Sequence, residues 1–282
     1  MADVSAGHGH PPAYAARPGP GRVADEHRRR RQVPRRWRSP RDDGPVSSPA
    51  DPRTRTPRPV EPAATPWRFP PPAAAGDGDF VGFGADLAPG TLLSAYRCGL
   101  FPMPSDHGPM GWWSPAVRGV LPLTELRVTR SLRQSAKKLH VTVDSDFSAV
   151  IEACARLPRP GGWISDGIVT AYQRLHELGW AHSFETRDAD GTLVGGLYGI
   201  GIGGLFAGES MFHLARDASK VALLALVRLL VAAGTPHRRL LDVQWPTRHL
   251  ESLGVVGVPR AEYLRRLADA LTLPLPDAFT AR

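Results

Sequence analysis

The stretch from Leu193 to Gln244 decides how this chain folds. It contains three informative runs, which are LVGGLYGIGIGGLFAGESMF (193–212), DASKVALLALVRLLVAAG (217–234) and LLDVQ (240–244). The first run predicts glycine-rich strands, the second a long apolar and buried helix, and the third a short strand. Because strand residues two apart point to one face, Asp242 and Gln244 are predicted to share a side of the sheet. Apolar side chains from the first two runs would then line a pocket beside the Asp242 carboxylate and the Gln244 amide.

Helices and strands mix along the chain without strict alternation, which is typical of the α+β class. Helices are predicted at about 89–98, 129–138, 167–178, 218–233, 247–253 and 259–271, with one more after Asp146. Strands are predicted at 118–123, 140–143, 182–186, 193–200 and 239–244. The aromatic segments 101–102 and 112–115 are predicted to be irregular.

Residues 1–65 differ in composition from the rest of the chain. They hold 13 Arg, 12 Pro and 7 acidic residues, and so carry +6 of the formal charge of +8. Such a segment cannot bury enough apolar surface to offset its ordering entropy, so we predict a disordered tail. Its Arg-rich part, 28–38, could touch RNA phosphates, but a merely solvated tail or an over-extended start codon explains it more readily. We predict a small N-terminal domain at 66–116 and a catalytic domain at 117–282.

The composition excludes several classes of protein. Two cysteines, Cys98 and Cys154, support neither a disulfide framework nor a cysteine zinc site, and they fit a reducing cytosol. The longest apolar run, 221–233, contains Arg228 and is shorter than the roughly 20 residues of a membrane span. The glycine run 199–204 lacks the lysine of a phosphate-binding loop and the acidic residue of a dinucleotide site. We therefore expect no membrane segment, metal or cofactor.

Taken alone, the candidate polar residues allow two interpretations each. Glu209 could be a buried structural carboxylate or the binder of a cation. Asp242 and Gln244 could form a strand-end hydrogen-bond network or a catalytic pair. A lone Trp163 is typical of a core, and the basic helix face at 130–138 is typical of a solvated surface.

A set of ordered motifs resembles the bacterial leucyl/phenylalanyl-tRNA–protein transferases. The motifs are YRCGLFP (96–102), WWSP (112–115), Trp163-Ile164, AYQRLHELGWAHS (171–183), LFAGESMF (205–212), DASK (217–220) and LLDVQ (240–244). The resemblance runs from about Trp67 to the C-terminus. It implies a GNAT-like (acyl-CoA N-acyltransferase-like) catalytic domain. It also implies transfer of Leu or Phe, less often Met, from aminoacyl-tRNA to the N-terminal Arg or Lys of acceptor proteins, which marks them for degradation. The enzyme would be a cytoplasmic monomer without a cofactor.

The resemblance also implies roles for individual residues. Asp242 and Gln244 match the catalytic pair, and Glu209 matches the acid on the acceptor side. We expect Gln244 to orient the amine and Asp242 to supply negative potential. The substrate-binding positions are Leu197, Phe206, Met211 and Leu226 in the donor pocket, Trp163 and Tyr172 around the terminal adenosine, and Tyr96. The tRNA-binding positions are Arg130, Arg133, Lys137 and Lys138.

Two positions depart from the family pattern, and two other functions stay open. Met103 stands where many members have an aromatic residue, and Thr247 replaces a common Asn. The first alternative is a CoA-dependent N-acyltransferase on the same type of fold, although no clear pyrophosphate loop is present. The second is a non-catalytic RNA-binding protein that relies on the basic tail.

Overall fold

Two β-sheets and seven α-helices organise the computed structural model, which describes residues 59–104, 110–157 and 163–280. The smaller sheet consists of β1 (Phe80–Phe83), β2 (Phe101–Pro104) and β3 (Met110–Trp113). The larger sheet consists of β4 (Val117–Val120), β5 (His140–Val143), β6 (Ala181–Arg187), β7 (Leu193–Ile202), β8 (Leu205–His213), β9 (Leu240–Asp242) and β10 (Val256–Pro259). The helices are α1 (Pro89–Arg97), α2 (Arg130–Ala136), α3 (Phe147–Arg156), α4 (Asp166–Glu177), α5 (Ala218–Ala232), α6 (Arg248–Leu253) and α7 (Arg260–Ala270). Single 3₁₀ turns occur at Pro72–Ala75 and Asp277–Phe279.

The larger sheet has the strand order β10-β4-β9-β8-β7-β6-β5. Five of its six strand pairs are antiparallel, and β8 with β9 forms the parallel pair. That pairing covers three residues and ends at Ala207 opposite Asp242. Beyond this point β8 continues along β7 to His213, whereas β9 ends, so the segment that follows Asp242 leaves the sheet.

Helices cover the two faces of the larger sheet. The apolar side chains of α5 and α6 share a core cluster with Leu197, Phe206 and Met211. The helices α1, α3 and α4 share a second cluster with Tyr198 and Ala207, while α7 packs against β4, β9 and β10. Because neighbours along β7 and β8 belong to different clusters, the glycine-rich hairpin separates two apolar layers. This architecture agrees with the predicted α+β class.

Most predicted elements are confirmed with small shifts of their ends. Proline at the first turn starts α1, and side-chain caps from Thr129, Asp146 and Ser165 start α2, α3 and α4. The long apolar helix α5 is confirmed, and most of its side chains are buried. The predicted strand over 239–244 is shorter in the structure, where β9 ends at Asp242.

The prediction that residues 101–102 and 112–115 are irregular is wrong for 101–102 and 112–113 and is confirmed for 114–115. Residues 101–104 form β2, and residues 110–113 form β3 in the smaller sheet. Two prolines in β2 argued against a strand, but β2 lies at the edge of its sheet. An edge strand tolerates proline because one of its sides needs no backbone donor.

The predicted tail extends too far toward the folded chain. The Val60 amide donates to the Leu178 carbonyl at 2.8 Å, and the Trp180 indole donates to the Val60 carbonyl at 2.8 Å. The Arg97 guanidinium donates to both carboxylate oxygens of Glu61 at 2.6 and 2.8 Å. Residues 59–65 therefore belong to the folded part, and we call them the N-terminal strap. The rest of the predicted tail, 1–58, lies outside the described residues.

The described residues 59–104, 110–157 and 163–280 all fall in one compact unit, residues 50–282. The smaller sheet shares the core cluster of α3 and α4 through Phe101 and Trp112. The division into domains at residue 116 stays a prediction. None of the helices in this described part has both the length and the apolar character needed to span a bilayer.

Candidate active site

A β-bulge in β8 sets the direction of the Glu209 side chain. Tyr198 pairs with Ser210 and Gly199 pairs with Gly208, so Glu209 is an extra residue without a partner on β7. Such a bulge shifts the phase of the strand. Phe206 and Met211 are five residues apart, yet both belong to the α5 layer. Glu209 instead turns toward hydroxyl groups from α1 and α4.

Two tyrosine hydroxyls hold the Glu209 carboxylate. Tyr96 on α1 donates to Oε1 at 2.7 Å, and Tyr172 on α4 donates to Oε2 at 3.2 Å. The two hydroxyls also contact each other. Tyr96 and Tyr172 are buried, and this burial raises the pKa of both phenols well above the usual value. Both therefore remain protonated donors at neutral pH.

The charge state of Glu209 is finely balanced. Desolvation raises the pKa of this carboxyl to about 7, and the negative charge of Asp242 adds to the effect. Hydrogen bonds from Tyr96 and Tyr172 and the positive charge of Arg118 oppose the rise. The carboxyl therefore titrates in the neutral range, which suits a group that binds a cation or exchanges a proton.

Asp242, at the end of β9, lies fully buried among donors. The Arg118 guanidinium donates to Oδ1 from Nε at 2.8 Å and to Oδ2 from Nη2 at 2.6 Å. The Tyr263 hydroxyl donates to Oδ2 at 2.8 Å. The guanidinium offsets the charge of Asp242 at contact distance, although that charge still contributes to the raised pKa of Glu209. The role of Asp242 as a source of negative potential stays a prediction.

Gln244 lies beyond the end of β9, so the prediction that it shares a strand face with Asp242 is wrong. Its backbone has a φ of 61°, in the left-handed region. The Gln244 amide N–H donates to Asp242 Oδ1 at 2.9 Å, and its side-chain Nε2 makes a long contact of 3.5 Å to Glu209 Oε1. The structure thus does bring Gln244 and Glu209 together, through a turn rather than through strand alternation.

Two residues of this site, Arg118 and Tyr263, were not predicted from the sequence. Arg118 lies in β4 among apolar residues and is 1% exposed, and Tyr263 comes from α7. A charged residue inside a predicted buried strand is the one local signal that marks Arg118, since such residues are rarely buried without a partner. Tyr263 had no local signal.

The four residues of the predicted donor pocket lie together. Leu197 pairs with Met211 across β7 and β8, and both belong to the cluster that contains Phe206 and Leu226. Leu197, Phe206 and Leu226 are buried, while Met211 is partly exposed. These side chains lie in the α5 layer, whereas the tyrosines that hold Glu209 lie in the other layer. The role of the four in a donor pocket stays a prediction.

The predicted stacking residues take different positions. Trp163 is partly exposed and packs at the border of the cluster that contains Tyr172. Tyr172 itself is fully buried, with its hydroxyl committed to the site. Met103 packs against the same cluster, and the Thr247 hydroxyl caps α6 by accepting from the Leu250 amide at 3.2 Å. Thr247, which stands where the resembled family commonly has Asn, thus has a structural role at the start of a helix.

The basic residues on and after α2 form an exposed group. Arg130 and Arg133 lie in the helix, and Lys137 and Lys138 follow at its end. Leu132 anchors the helix in the protein, and α2 packs against α5. Within residues 59–104, 110–157 and 163–280, none of the four forms an ion pair with an acidic side chain. Their charges are thus available to an anionic partner.

The geometry allows one kind of chemistry at Glu209. A half-buried carboxyl with a pKa about 7 faces a side-chain amide and two phenols. It can hold a cationic amine and take up one of its protons. No nucleophilic side chain is needed when the substrate itself supplies the nucleophile.

The matching family models and the most similar relatives named below belong to one family. A family model described as leucyl/phenylalanyl-tRNA protein transferase matches residues 120–268, and its N-terminal-domain model matches residues 85–116. The leucyl/phenylalanyl-tRNA–protein transferase of Pseudoalteromonas atlantica is 47% identical over 217 residues, which cover 75% of this chain and 91% of the relative. That of Syntrophotalea carbinolica is 46% identical over 76% of this chain and 95% of the relative. That of Pseudomonas entomophila is 50% identical over 68% and 84%. A solved structure described as L-PGS from Bacillus licheniformis matches 48% of each chain, with a TM-score of 0.32 and 12% identity.

Proposed function

The chain belongs to the leucyl/phenylalanyl-tRNA–protein transferase family, and we propose that it transfers Leu or Phe, less often Met, to the N-terminal Arg or Lys of acceptor proteins. As a member of this family it is an enzyme, an aminoacyl-tRNA–protein transferase. The acceptor rule and the outcome, a protein marked for degradation, are parts of the proposal. So are a cytoplasmic location, where charged tRNA is made, and action as a monomer.

The observation that carries the proposal is the state of Glu209. Its carboxylate accepts from Tyr96, Tyr172 and Gln244, but in the described part of the chain no Arg, Lys or His forms an ion pair with it. A half-buried carboxylate without a cationic partner is costly unless a ligand supplies the charge. The N-terminal Arg or Lys of an acceptor carries two such charges, one on the α-amine and one on the side chain.

The proposed reaction needs no activation by the enzyme, because the aminoacyl ester is already activated. The neutral α-amine attacks the ester carbonyl carbon, a C–N bond forms, and the C–O bond to the terminal ribose breaks. The ribose hydroxyl leaves with the proton that the amine loses. The acceptor begins as an α-ammonium with a pKa near 8, so the Glu209 carboxylate can first take one proton from it without a large uphill step and so produce the neutral amine.

Positioning of the two substrates is the main task of the other residues. Gln244 has no useful basicity, so we assign it to orient the amine beside Glu209. Leu197, Phe206, Met211 and Leu226 would contact the apolar side chain of the donor amino acid. Such a pocket rejects charged side chains strongly, but separates neighbouring aliphatic ones by only ~1–3 kcal/mol per methylene.

The tRNA would contact two further groups. The ring of Trp163 would stack near the terminal adenosine, where stacking contributes ~1–3 kcal/mol per base, and Tyr172 and Tyr96 would lie beneath it. Arg130, Arg133, Lys137 and Lys138 would bind phosphates. We also propose that the larger sheet has a GNAT-like fold, which the mixed sheet with its short parallel pair of β8 and β9 supports.

The proposal is tested with radiolabelled Leu-tRNA and two versions of one acceptor protein. We expect label on the protein that begins with Arg and none on the matched protein that begins with Ala. Acetyl-CoA serves as the competing donor, and acetyl transfer without tRNA would instead establish a CoA-dependent enzyme. Binding of tRNA without any transfer would contradict the proposal and leave an RNA-binding protein.

A further inference from the structure

Arg118 links the strand that carries Asp242 to three other parts of the fold. Besides its two bonds to Asp242, its Nη1 donates to the Gly99 carbonyl, at the end of α1, at 3.3 Å. The guanidinium carbon lies 4.6 Å from the ring centre of Phe101 and 4.5 Å from that of Tyr263, on β2 and α7. The side chain is 1% exposed. Its position is therefore fixed from all sides, and no substrate can touch it without rearrangement.

The carboxylate of Asp242 has no acceptor site left for a substrate. Two donors of Arg118, the Tyr263 hydroxyl and the Gln244 amide N–H all lie within 2.9 Å of its oxygens. An ionised carboxylate offers about four acceptor positions, so four donors fill it. Since Asp242 is also fully buried, it cannot receive a proton from an amine in this arrangement.

The one contact of Asp242 that leads toward the substrate is the bond from Gln244. A φ of 61° is uncommon for a residue with a side chain and must be held by its surroundings. Gly119, next to Arg118, fastens the same turn: its N–H donates to the Gln244 carbonyl at 2.8 Å and its carbonyl accepts from Val243 at 2.9 Å. A Cβ at Gly119 would lie 2.9 Å from Pro246 N, so the turn packs directly on β4.

We infer that Arg118 is a positioning residue for the transfer reaction. Through the carboxylate of Asp242, which accepts from the Gln244 backbone N–H, Arg118 fixes the turn that orients the Gln244 side-chain amide. This inference rests on the proposed function, because it assumes that Gln244 faces the acceptor amine. It assigns Asp242 to the same structural chain rather than to proton transfer. A guanidinium is needed because its planar fork fixes both carboxylate oxygens at once, which a lysine ammonium cannot do.

The test compares Arg118→Lys with the matched control Arg239→Lys. Arg239 is also buried and donates to three backbone carbonyls, at Ala233, Gly234 and Pro274, away from the site. Transfer of Leu to an Arg-initiated protein is measured per folded molecule, with kcat and the KM values of both substrates. We expect Arg118→Lys to lower kcat at least tenfold with both KM values within about threefold. Arg239→Lys should lower Tm and leave kcat within about twofold.

A milder variant guards against misfolding of Arg118→Lys. Tyr263→Phe removes one donor to Asp242 and keeps the ring that covers Arg118. We expect a severalfold loss of kcat with unchanged KM values. Because both changes act on one carboxylate, the double variant should lose less than the product of the two single losses.

Three outcomes decide the inference. Wild-type kcat in both Arg118→Lys and Tyr263→Phe would overturn it while the proposed function stands. A rise of the KM values in parallel with the fall of kcat would also overturn it, because that pattern indicates general damage to the site. A wild-type enzyme that fails to transfer Leu to the Arg-initiated protein would overturn the proposed function instead.

Discussion

The pKa of Glu209, which burial raises to about 7, makes the charge of this carboxyl depend on pH in the neutral range. In the proposed reaction, the carboxylate form attracts the cationic acceptor and accepts a proton from it, whereas the protonated form does neither. The value of kcat/KM for the acceptor should therefore rise as the pH increases through about 7. We expect Glu209→Gln to lower kcat/KM by at least tenfold at pH 8 and to abolish this part of the pH profile.

Tyr96→Phe is the matched control for that profile. The hydroxyl of Tyr96 lowers the pKa of Glu209 by donating to it, so its removal should raise the pKa. The rising part of the profile should then move to higher pH while its shape stays the same. A profile that moves to lower pH in Tyr96→Phe would contradict the assignment of this step to Glu209.

The raised pKa of Glu209 also predicts that the stability of the protein falls as the pH rises, whereas kcat/KM increases. Folding raises the pKa of Glu209 above its unfolded value, so the folded state binds more protons between pH 4.5 and about 7. Stability from this group is therefore present at low pH and lost as the pH rises through that window. Glu209→Gln should raise Tm at pH 8, by about 2–4 °C for each kcal/mol of relief, with little change at pH 5.

Individual residues show what a sequence does and does not reveal about a site. Glu209, Asp242 and Gln244 could be proposed because family motifs surround them. Arg118 and Tyr263 could not, because their contacts to Asp242 span 124 and 21 residues of sequence. Pairings across elements leave no local periodicity, so only the folded sheet reveals that the Asp242 carboxylate is paired with Arg118.

Among elements, predictability followed the strength of the local signal. The helix α5 and the strand β5 agree closely with their predicted ranges because apolar spacing and a glycine stop mark the former and alternation marks the latter. The bulge in β8 could not be predicted, because glycine-rich strands allow several registers. The one extra residue in β8 decides which apolar layer Glu209 faces, so the position of the Glu209 carboxylate depends on the strand register.

The helix α2 gives a prediction about tRNA binding that concerns an element rather than a single contact. The double change Lys137→Ala and Lys138→Ala removes two exposed charges and leaves the buried anchor Leu132 intact. We expect weaker tRNA binding, and a slope of log Kd against log salt that is reduced by about 1–2. Fluorescence titration of tRNA at several salt concentrations measures both.

A second basic pair provides the control for α2. Arg265 and Arg266 on α7 are also exposed neighbours, but both pair with Glu262. Their replacement by Ala should leave the salt slope unchanged. An unchanged salt slope in the Lys137→Ala and Lys138→Ala variant would show that these two lysines do not contact tRNA.

At the scale of the whole molecule, most of the net charge lies in the N-terminal part of the sequence. Residues 1–65 carry a net charge of +6, and the remaining residues carry only +2. The N-terminal strap nevertheless belongs to the folded unit, and it holds α1 from outside. Arg97, which binds Glu61 of the strap and lies over the Trp180 ring at 5.3 Å, directly follows Tyr96 of the site. The composition could not separate the strap from the tail because both are rich in proline.

Two truncations separate the contributions of the tail and the strap. Removal of residues 1–58 keeps every strap contact, so Tm, transfer activity and tRNA affinity should stay close to those of the full chain. Removal of residues 1–65 also deletes the two Val60 backbone bonds, the Glu61 pair and the Thr65–Thr91 contact at 2.8 Å. With about 1 kcal/mol for each of the two hydrogen bonds of the Val60 backbone, Tm should fall by about 4–8 °C. Activity should then become more sensitive to temperature, because α1 carries Tyr96. Loss of tRNA binding on removal of residues 1–58 alone would instead place the main RNA contact in the tail, and would contradict the assignment of that contact to α2.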